Sequence, residues 1–255
     1  MSENAFPQDQ VYRIPAGTRV YAIGDVHGCL EQLHKMHEVI SFDLINSPPQ
    51  AVHIVYLGDY IDRGPDSRGV IDTLIERQMR GDGIQKTFIL GNHELGLFEF
   101  LEDPETEIWT EWGGMETLAS YGLTFPGGML LPGEKTPAAQ AAQQAIPEAH
   151  MNFLKGLQTH IFIGDYLFAH AGIDPRKPLE QQVLSDWTFI REPFLNWHLD
   201  PLYKPLPFKV VHGHTITDEP ENLPHRICMD TGAYKGGPLS CAVLEGADVR
   251  FLQVK

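Results

Sequence analysis

The sequence predicts an α/β fold in which two β-sheets stack face to face with helices on the outside. Two patterns carry that prediction. From residue 18 to residue 101, short β-branched and apolar runs alternate with segments of helical periodicity. This β-α-β-α-β order implies strands joined by right-handed crossovers. From His160 onward the chain becomes strand-rich, in short runs bounded by Gly, Asp or Pro.

The first predicted strand is Thr18–Ile23. A helix follows from about Leu30 to Ile45, where Leu30, Leu33, Met36, Ile40 and Leu44 recur at helical spacing. Strand Val52–Leu57 precedes a helix from about Asp66 to Arg80, with Val70, Ile71, Leu74 and Ile75 on its apolar face. Strand Lys86–Leu90 precedes a helix over Leu95–Leu101. Residues 104–147 then break the pattern. They contain Trp109, Trp112, Gly113-Gly114 and Pro126-Gly127-Gly128, and read as a helical insertion beside the site. The Ala/Gln-rich tract Ala138–Ala145 inside it reads as a plain exposed helix. Later strands are Ile161–Ile163, Tyr166–Ala169, Lys209–Val211, Ile227–Asp230, Ser240–Leu244 and Val249–Leu252, with Gly164-Asp165 as a tight hairpin turn. No internal repeat is present.

Three strings stand at the ends of the first three strands: Gly24-Asp25-Val26-His27-Gly28, Gly58-Asp59-Tyr60-Ile61-Asp62-Arg63-Gly64 and Gly91-Asn92-His93-Glu94. Ligands of α/β proteins bind at the carboxyl ends of strands. Three strand ends delivering carboxylate, carboxamide and imidazole to one place describe a metal centre for divalent ions such as Mn, Fe or Zn. Asp25 and His27, two apart on extended chain, are expected to point the same way. With candidate ligands running from residue 25 to residue 214 of 255, one site draws on the whole length and residues 1–255 read as a single domain.

Composition narrows the partners. A formal net charge of -15 argues against non-specific nucleic-acid binding, which rests on many Lys and Arg contacts. Hydrophobic residues make up 42% of the chain, enough for a core, but no apolar run reaches the ~20 residues of a membrane span. The start, Met1-Ser2-Glu3-Asn4, lacks the basic and apolar regions of a signal peptide. Cys29, Cys228 and Cys241 form no disulfide or zinc framework and read as small apolar residues. The expectation is a cytoplasmic protein with no nucleic-acid or membrane partner.

Taken in order, the three strings resemble the signature of calcineurin-like metallophosphoesterases of the phosphoprotein-phosphatase type. The resemblance continues through Ala169-His170-Ala171-Gly172, Arg191 and Gly213-His214-Thr215, and spans roughly residues 18 to 235. It implies a four-layer α/β sandwich of two mixed β-sheets flanked by helices. It also implies two divalent metal ions per chain, Mn first, with Fe, Zn or Co also suited. Asp25, His27 and Asp59 would hold one ion. Asp59, Asn92, His170 and His214 would hold the other, with Asp59 bridging. Two such ions clamp a phosphoryl group and acidify the attacking water.

The same resemblance assigns the residues that are not ligands. His93 is the candidate general acid, and Asp62 the partner that orients it and keeps it protonated. Arg63 and Arg191 are planar cations suited to phosphate oxygens. Tyr234 and Asn92 are candidate substrate contacts. His212 competes with His214 as a ligand because period 2 puts both on one face, but the Gly-His-Thr match favours His214. His34, His37, His53, His150, His160, His198 and His225 read as surface or packing residues.

The sequence thus reads as a metal-dependent phosphohydrolase acting on a phosphorylated protein or a small phosphorylated substrate. Asp-Tyr-Ile-Asp-Arg-Gly and Asn-His-Glu resemble serine/threonine protein phosphatases, which favours that substrate. A diadenosine tetraphosphatase-like hydrolase of phosphoanhydrides is the alternative, whose relatives tend to carry Asp where this chain has Glu94. An inactive phosphatase-fold binding module would have lost ligands or the acid, and all of them are present.

Overall fold

Alternation along single strands decides the layering. In the computed structural model, which describes residues 10–105, 108–131, 133–201 and 203–255, strand β1 (Thr18–Ile23) points Val20 and Ala22 one way and Tyr21 and Ile23 the other. All four are fully buried, so each face of the strand meets a different apolar layer. Tyr21 and Ile23 pack under helices α1 (Leu30–Asn46) and α2 (Ser67–Met79), through Leu33, Met36, Ile40, Val70, Ile71 and Leu74. Val20 and Ala22 face the second sheet, where they join Val55, Leu57, Tyr166, Phe168, Val211 and Ile227.

The first sheet adds β2 (Ala51–Tyr56), β3 (Gln85–Phe88), β9 (Leu239–Glu245) and β10 (Asp248–Val254), in the order β10-β9-β1-β2-β3. Strands β1, β2 and β3 are parallel, and β9 and β10 pair antiparallel on the other side. The second sheet comprises β4 (His160–Ile163), β5 (Tyr166–Ala169), β6 (Lys209–His212), β7 (Glu221–Asn222) and β8 (Arg226–Cys228), in the order β4-β5-β6-β8-β7. It too is mixed, with β5, β6 and β8 parallel. The expected four-layer sandwich is therefore present, and Gly164-Asp165 is the two-residue turn between β4 and β5. The two-residue β7 was not anticipated; it is too short to show a period.

The outer layers are unequal. Helices α1, α2 and α3 (Asn92–Glu102) cover the first sheet together with α4 (Gly114–Ser120), α5 (Lys135–Ala145) and α6 (Glu148–Lys155). The second sheet is covered by the short helix α7 (Leu184–Phe189) and irregular chain, with Trp187, Phe194 and Phe208 packed on Leu167 and Val210. The Ala/Gln tract is not a plain exposed helix: Ala138, Ala139 and Ala142 of α5 are buried in the main core. Small side chains bring that helix close to its neighbours without bulky apolar residues to announce a buried face. The N-terminal string Met1-Ser2-Glu3-Asn4 lies outside the described residues, as do positions 106, 107 and 132 of the insertion. The three cysteines are buried and free, and no helix among the described residues is long and apolar enough to cross a membrane.

His37 of α1 sits in this core with Nε2 2.9 Å from the Tyr56 hydroxyl, and burial pushes its pKa from the ordinary 6.5 down to about 3. The unfolded chain accepts a proton there that the folded chain refuses, so stability falls as pH drops below about 6.5. His37→Gln keeps a hydrogen-bonding group but cannot titrate. Urea unfolding from about pH 6.5 to 4 should then lose stability less steeply than in the parent, by up to about 1.4 kcal/mol per pH unit. Parallel pH profiles for the two proteins would contradict a neutral His37.

Candidate active site

Asp59 is the centre around which the site is built. Its backbone N–H donates to Glu94 (3.0 Å), and its carbonyl accepts the N–H groups of Val26 (3.1 Å) and His27 (2.8 Å). One carboxylate oxygen, Oδ1, accepts the His93 N–H at 3.1 Å at the start of α3, as an anion does at a helix N-terminus. Gly91 allows this approach: a Cβ there would lie 2.1 Å from that oxygen. The remaining oxygen, Oδ2, faces Nε2 of His170 (3.3 Å), His27 (3.6 Å) and His93 (3.9 Å).

The histidines are oriented for that meeting by their other ring nitrogen. His170 Nδ1 lies 2.8 Å from the Leu57 carbonyl and His27 Nδ1 2.9 Å from the Ile61 carbonyl, so each ring donates its Nδ1 proton there and turns Nε2 toward Asp59. His93 Nδ1 lies 2.6 Å from Asp62 Oδ2. Asn92 Oδ1 lies 3.0 Å from His170 Nε2 and 2.8 Å from His214 Nδ1. His214 Nε2 is buried and makes no hydrogen bond.

Two groups of donors among the described residues could hold a metal ion: His27, Asp59 and His93, and Asp59, His170 and His214. The chemistry of the set fits a divalent ion. Burial holds His27 and His214 down to about 3, so both rings are neutral with a lone pair to give. Burial also opposes charge on His170, but the Asp59 carboxylate outweighs it and lifts that ring to about 10. For Asp59, burial favours the neutral acid, yet His170 and His93 hold it well below the usual carboxylate range. The pocket is a place where positive charge is held.

Two expectations are corrected by the backbone. Asp25 and His27 do not share an extended segment, because His27 has φ +44° and the chain is already turning. The Asp25 carboxylate instead accepts the His214 N–H at 3.0 and 3.2 Å, and lies outside both donor groups. Burial, then the neighbouring Asp230, raises its pKa well above the usual range. His212 and His214 also do not share a face. Strand β6 ends at His212, Gly213 passes so close that a Cβ would be 1.9 Å from Asp25, and His214 turns with φ +64°. His212 is left against Phe194 and Arg226, while His214 reaches Asn92.

Among the described residues, the non-glycine residues with positive φ are His27, Asp59, Asp62, Arg63 and His214. Every one was singled out from sequence as a site residue. Left-handed backbone at such residues costs of order 1–3 kcal/mol each and collects at functional sites. The arginines face the same cavity of about 540 Å³, which is also lined by His27, Asp59, Asn92, His93, His214 and Tyr234. Arg63 donates to the Trp112 carbonyl (3.1 Å) and to the Tyr234 hydroxyl, and lies over the Tyr234 ring. Arg191 is exposed at the rim.

Several residues escaped the sequence reading. Phe189 lines the cavity beside Tyr234, and so does Trp112, which the sequence placed in the insertion beside the site without giving it a role. Trp109 and Thr117 bond Asp62 from the insertion. Glu94, visible in the third motif, does not face the cavity. Its fully buried carboxylate accepts backbone N–H groups from Asp59, Tyr60, Ile61 and Gly91.

Buried histidine and aspartate donors at strand ends beside two arginines define a metal-dependent phosphoester hydrolase. The chain belongs to the calcineurin-like phosphoesterases, whose family profile matches residues 18–249. It is 27% identical over 240 residues to an asymmetrical bis(5'-nucleosyl)-tetraphosphatase, PrpE, of Oceanobacillus iheyensis, covering 87% of each chain. It is 34% identical over 110 residues to serine/threonine-protein phosphatase 1 of Salmonella typhimurium, covering 42% of this chain and 45% of that one. A crystal structure provisionally assigned as a diadenosine tetraphosphatase superposes with a TM-score of 0.63 at 23% identity, covering 96% of this chain and 99% of that one.

Glu94→Gln would turn an amide NH₂ toward two of the four backbone N–H groups. Leaving buried donors unpaired costs about 1–3 kcal/mol each, so the melting temperature should drop by roughly 5–20 °C. Thermal unfolding by circular dichroism measures it, and an unchanged Tm would show that Glu94 does not hold the loop.

Proposed function

We propose that this chain hydrolyses a phosphoanhydride bond of dinucleoside polyphosphates. The observation that carries the substrate class is coverage. The tetraphosphatase relative aligns along 87% of this chain, whereas the protein phosphatase relative aligns along 42%. The shape of the site supports it. A second cavity of about 570 Å³ shares Ile216 and Lys235 with the first, leaving room for an elongated substrate. Trp112, Phe189 and Tyr234 offer aromatic surfaces to a flat base.

In this reading Asp25, His27 and Asp59 would hold one divalent ion, and Asp59, Asn92, His170 and His214 would hold the other, with Mn first and Fe, Zn or Co also suited. When bound, such ions polarise phosphoryl oxygens and make a coordinated water acidic. Arg63 and Arg191 bind the non-bridging phosphate oxygens, and Tyr234 steadies Arg63. His93 gives its Nε2 proton to the oxygen that leaves as the P–O bond breaks. Its Nδ1 bond to Asp62 aims it. Burial opposes its charge, but Asp59 and the Asp62 bond outweigh burial and raise its pKa.

A second reading, hydrolysis of phosphomonoesters on protein serine or threonine, is favoured by the higher local identity to the Salmonella phosphatase. Rates on diadenosine tetraphosphate, a phosphoserine peptide and a phosphotyrosine peptide, measured side by side with Mn, separate the two. The tetraphosphate should be the best substrate by kcat/KM, and a faster phosphoserine peptide would reverse the assignment. Chelator treatment should abolish turnover and strip two ions per chain by elemental analysis, and Mn should restore both. Full activity without metal would end the two-ion reading.

His93 also falls in one of the two donor groups, so its role as acid needs its own test. His93→Asn should retain both ions. It should lose more rate on phenyl phosphate, a poor leaving group, than on 4-nitrophenyl phosphate, out of the ~10²–10⁴-fold that general acids contribute. Equal losses, or loss of an ion, would show that His93 is not the proton donor.

A further inference from the structure

Asp62 is fully buried, and the insertion holds it through both carboxylate oxygens. Its Oδ2 accepts the Trp109 indole N–H at 2.6 Å as well as His93 Nδ1 at 2.6 Å. Its Oδ1 accepts the Thr117 hydroxyl at 2.6 Å, and its backbone N–H is shared between Thr117 Oγ1 (2.8 Å) and Ser67 Oγ (3.0 Å). Trp109 and Thr117 are themselves fully buried.

The directions of these bonds follow from the donor inventory. A hydroxyl has one proton, and an ionised carboxylate can only accept, so the Thr117 proton goes to Oδ1. The 2.9 Å contact between Ser67 and Thr117 then has Ser67 as donor. Thr117 thereby uses its single proton and both lone pairs on this one assembly, with nothing left for solvent. The neighbouring chain repeats the grip: Arg63 N–H donates to the Gly113 carbonyl at 3.1 Å, and a Cβ on Gly113 would lie 2.6 Å from Arg63 Cγ.

We infer that Trp109 and Thr117 are positioning residues for proton donation, clamping Asp62 so that His93 presents Nε2 to the phosphate. This rests on the reading of His93 as the acid. Asp62 has φ +74°, a conformation that needs external bonds to persist, and the insertion supplies them. Residues 109–117 are then a working part of the site.

The test compares phenyl phosphate with 4-nitrophenyl phosphate in Mn-loaded protein. Thr117→Val removes the hydroxyl at constant shape, and Trp109→Phe removes only the indole N–H. Each should lower turnover of phenyl phosphate roughly tenfold more than that of 4-nitrophenyl phosphate, a fraction of the full acid contribution. Thr117→Ser should restore the parental ratio. In a His93→Asn background neither change should move the ratio further. If Thr117→Val folds poorly, Trp109→Phe decides, because Asp62 keeps its backbone and Thr117 bonds there. Equal losses on both substrates, or a ratio shift that persists without His93, would overturn the positioning role while leaving the acid intact. A ratio unmoved by His93→Asn itself would instead remove the acid, and the proposal with it.

Discussion

The buried carboxylate of Glu94 is the constraint on which the rest of the site depends. It gathers N–H groups from Asp59, Tyr60, Ile61 and Gly91, and so ties the end of the second strand to the start of α3. A carboxylate out of water is costly unless its oxygens are bonded, and here the donors come from backbone that would otherwise be orphaned in the turn. That mutual need lets Asp59 hold φ +49° and aim one oxygen at three imidazoles. An apolar residue at 94 would leave the turn without its acceptor.

The strain collected here has to be offset elsewhere, and the layering shows where. Each central strand is apolar on both faces, so the first sheet is buried by helices on one side and by the second sheet on the other. Burial of that kind contributes roughly 25 cal/mol per Å² of apolar area, spread over dozens of side chains, against a few strained residues. The sheets also act as a rigid frame: the strained residues all lie in the loops that follow β1, β2 and β6, where the backbone has left its ladder and can bend.

Electrostatics shows the same division. Asp25, Asp59, Asp62, His93 and His170 are almost wholly buried, so their charges are set by one another more than by solvent. Asp59 and His170 stabilise each other's charged forms, while His27 and His214 stay neutral. A charged Asp59 beside the neutral rings of His27 and His214 suits a divalent cation better than it suits folding.

Much of this was legible in the sequence, because the motifs are local. A short apolar run sets a strand, and glycines beside Asp, His or Asn mark where the chain turns off it, so the strand ends and the residues gathered there could be named from adjacent positions. Period-2 reasoning failed where the backbone leaves the strand, at His27 and after His212, since alternation holds only while φ stays extended. The third motif named Glu94 but not its role, because a motif does not reveal which way a side chain faces. Only the tertiary structure could place Trp109 and Thr117 against Asp62, 47 and 55 positions away in the chain. Local order in the chain settles which chemical groups arrive at the sheet ends, because strand and turn are short-range properties. Which groups meet, and which are held by others, is decided by packing between distant segments, a long-range property that no local pattern encodes.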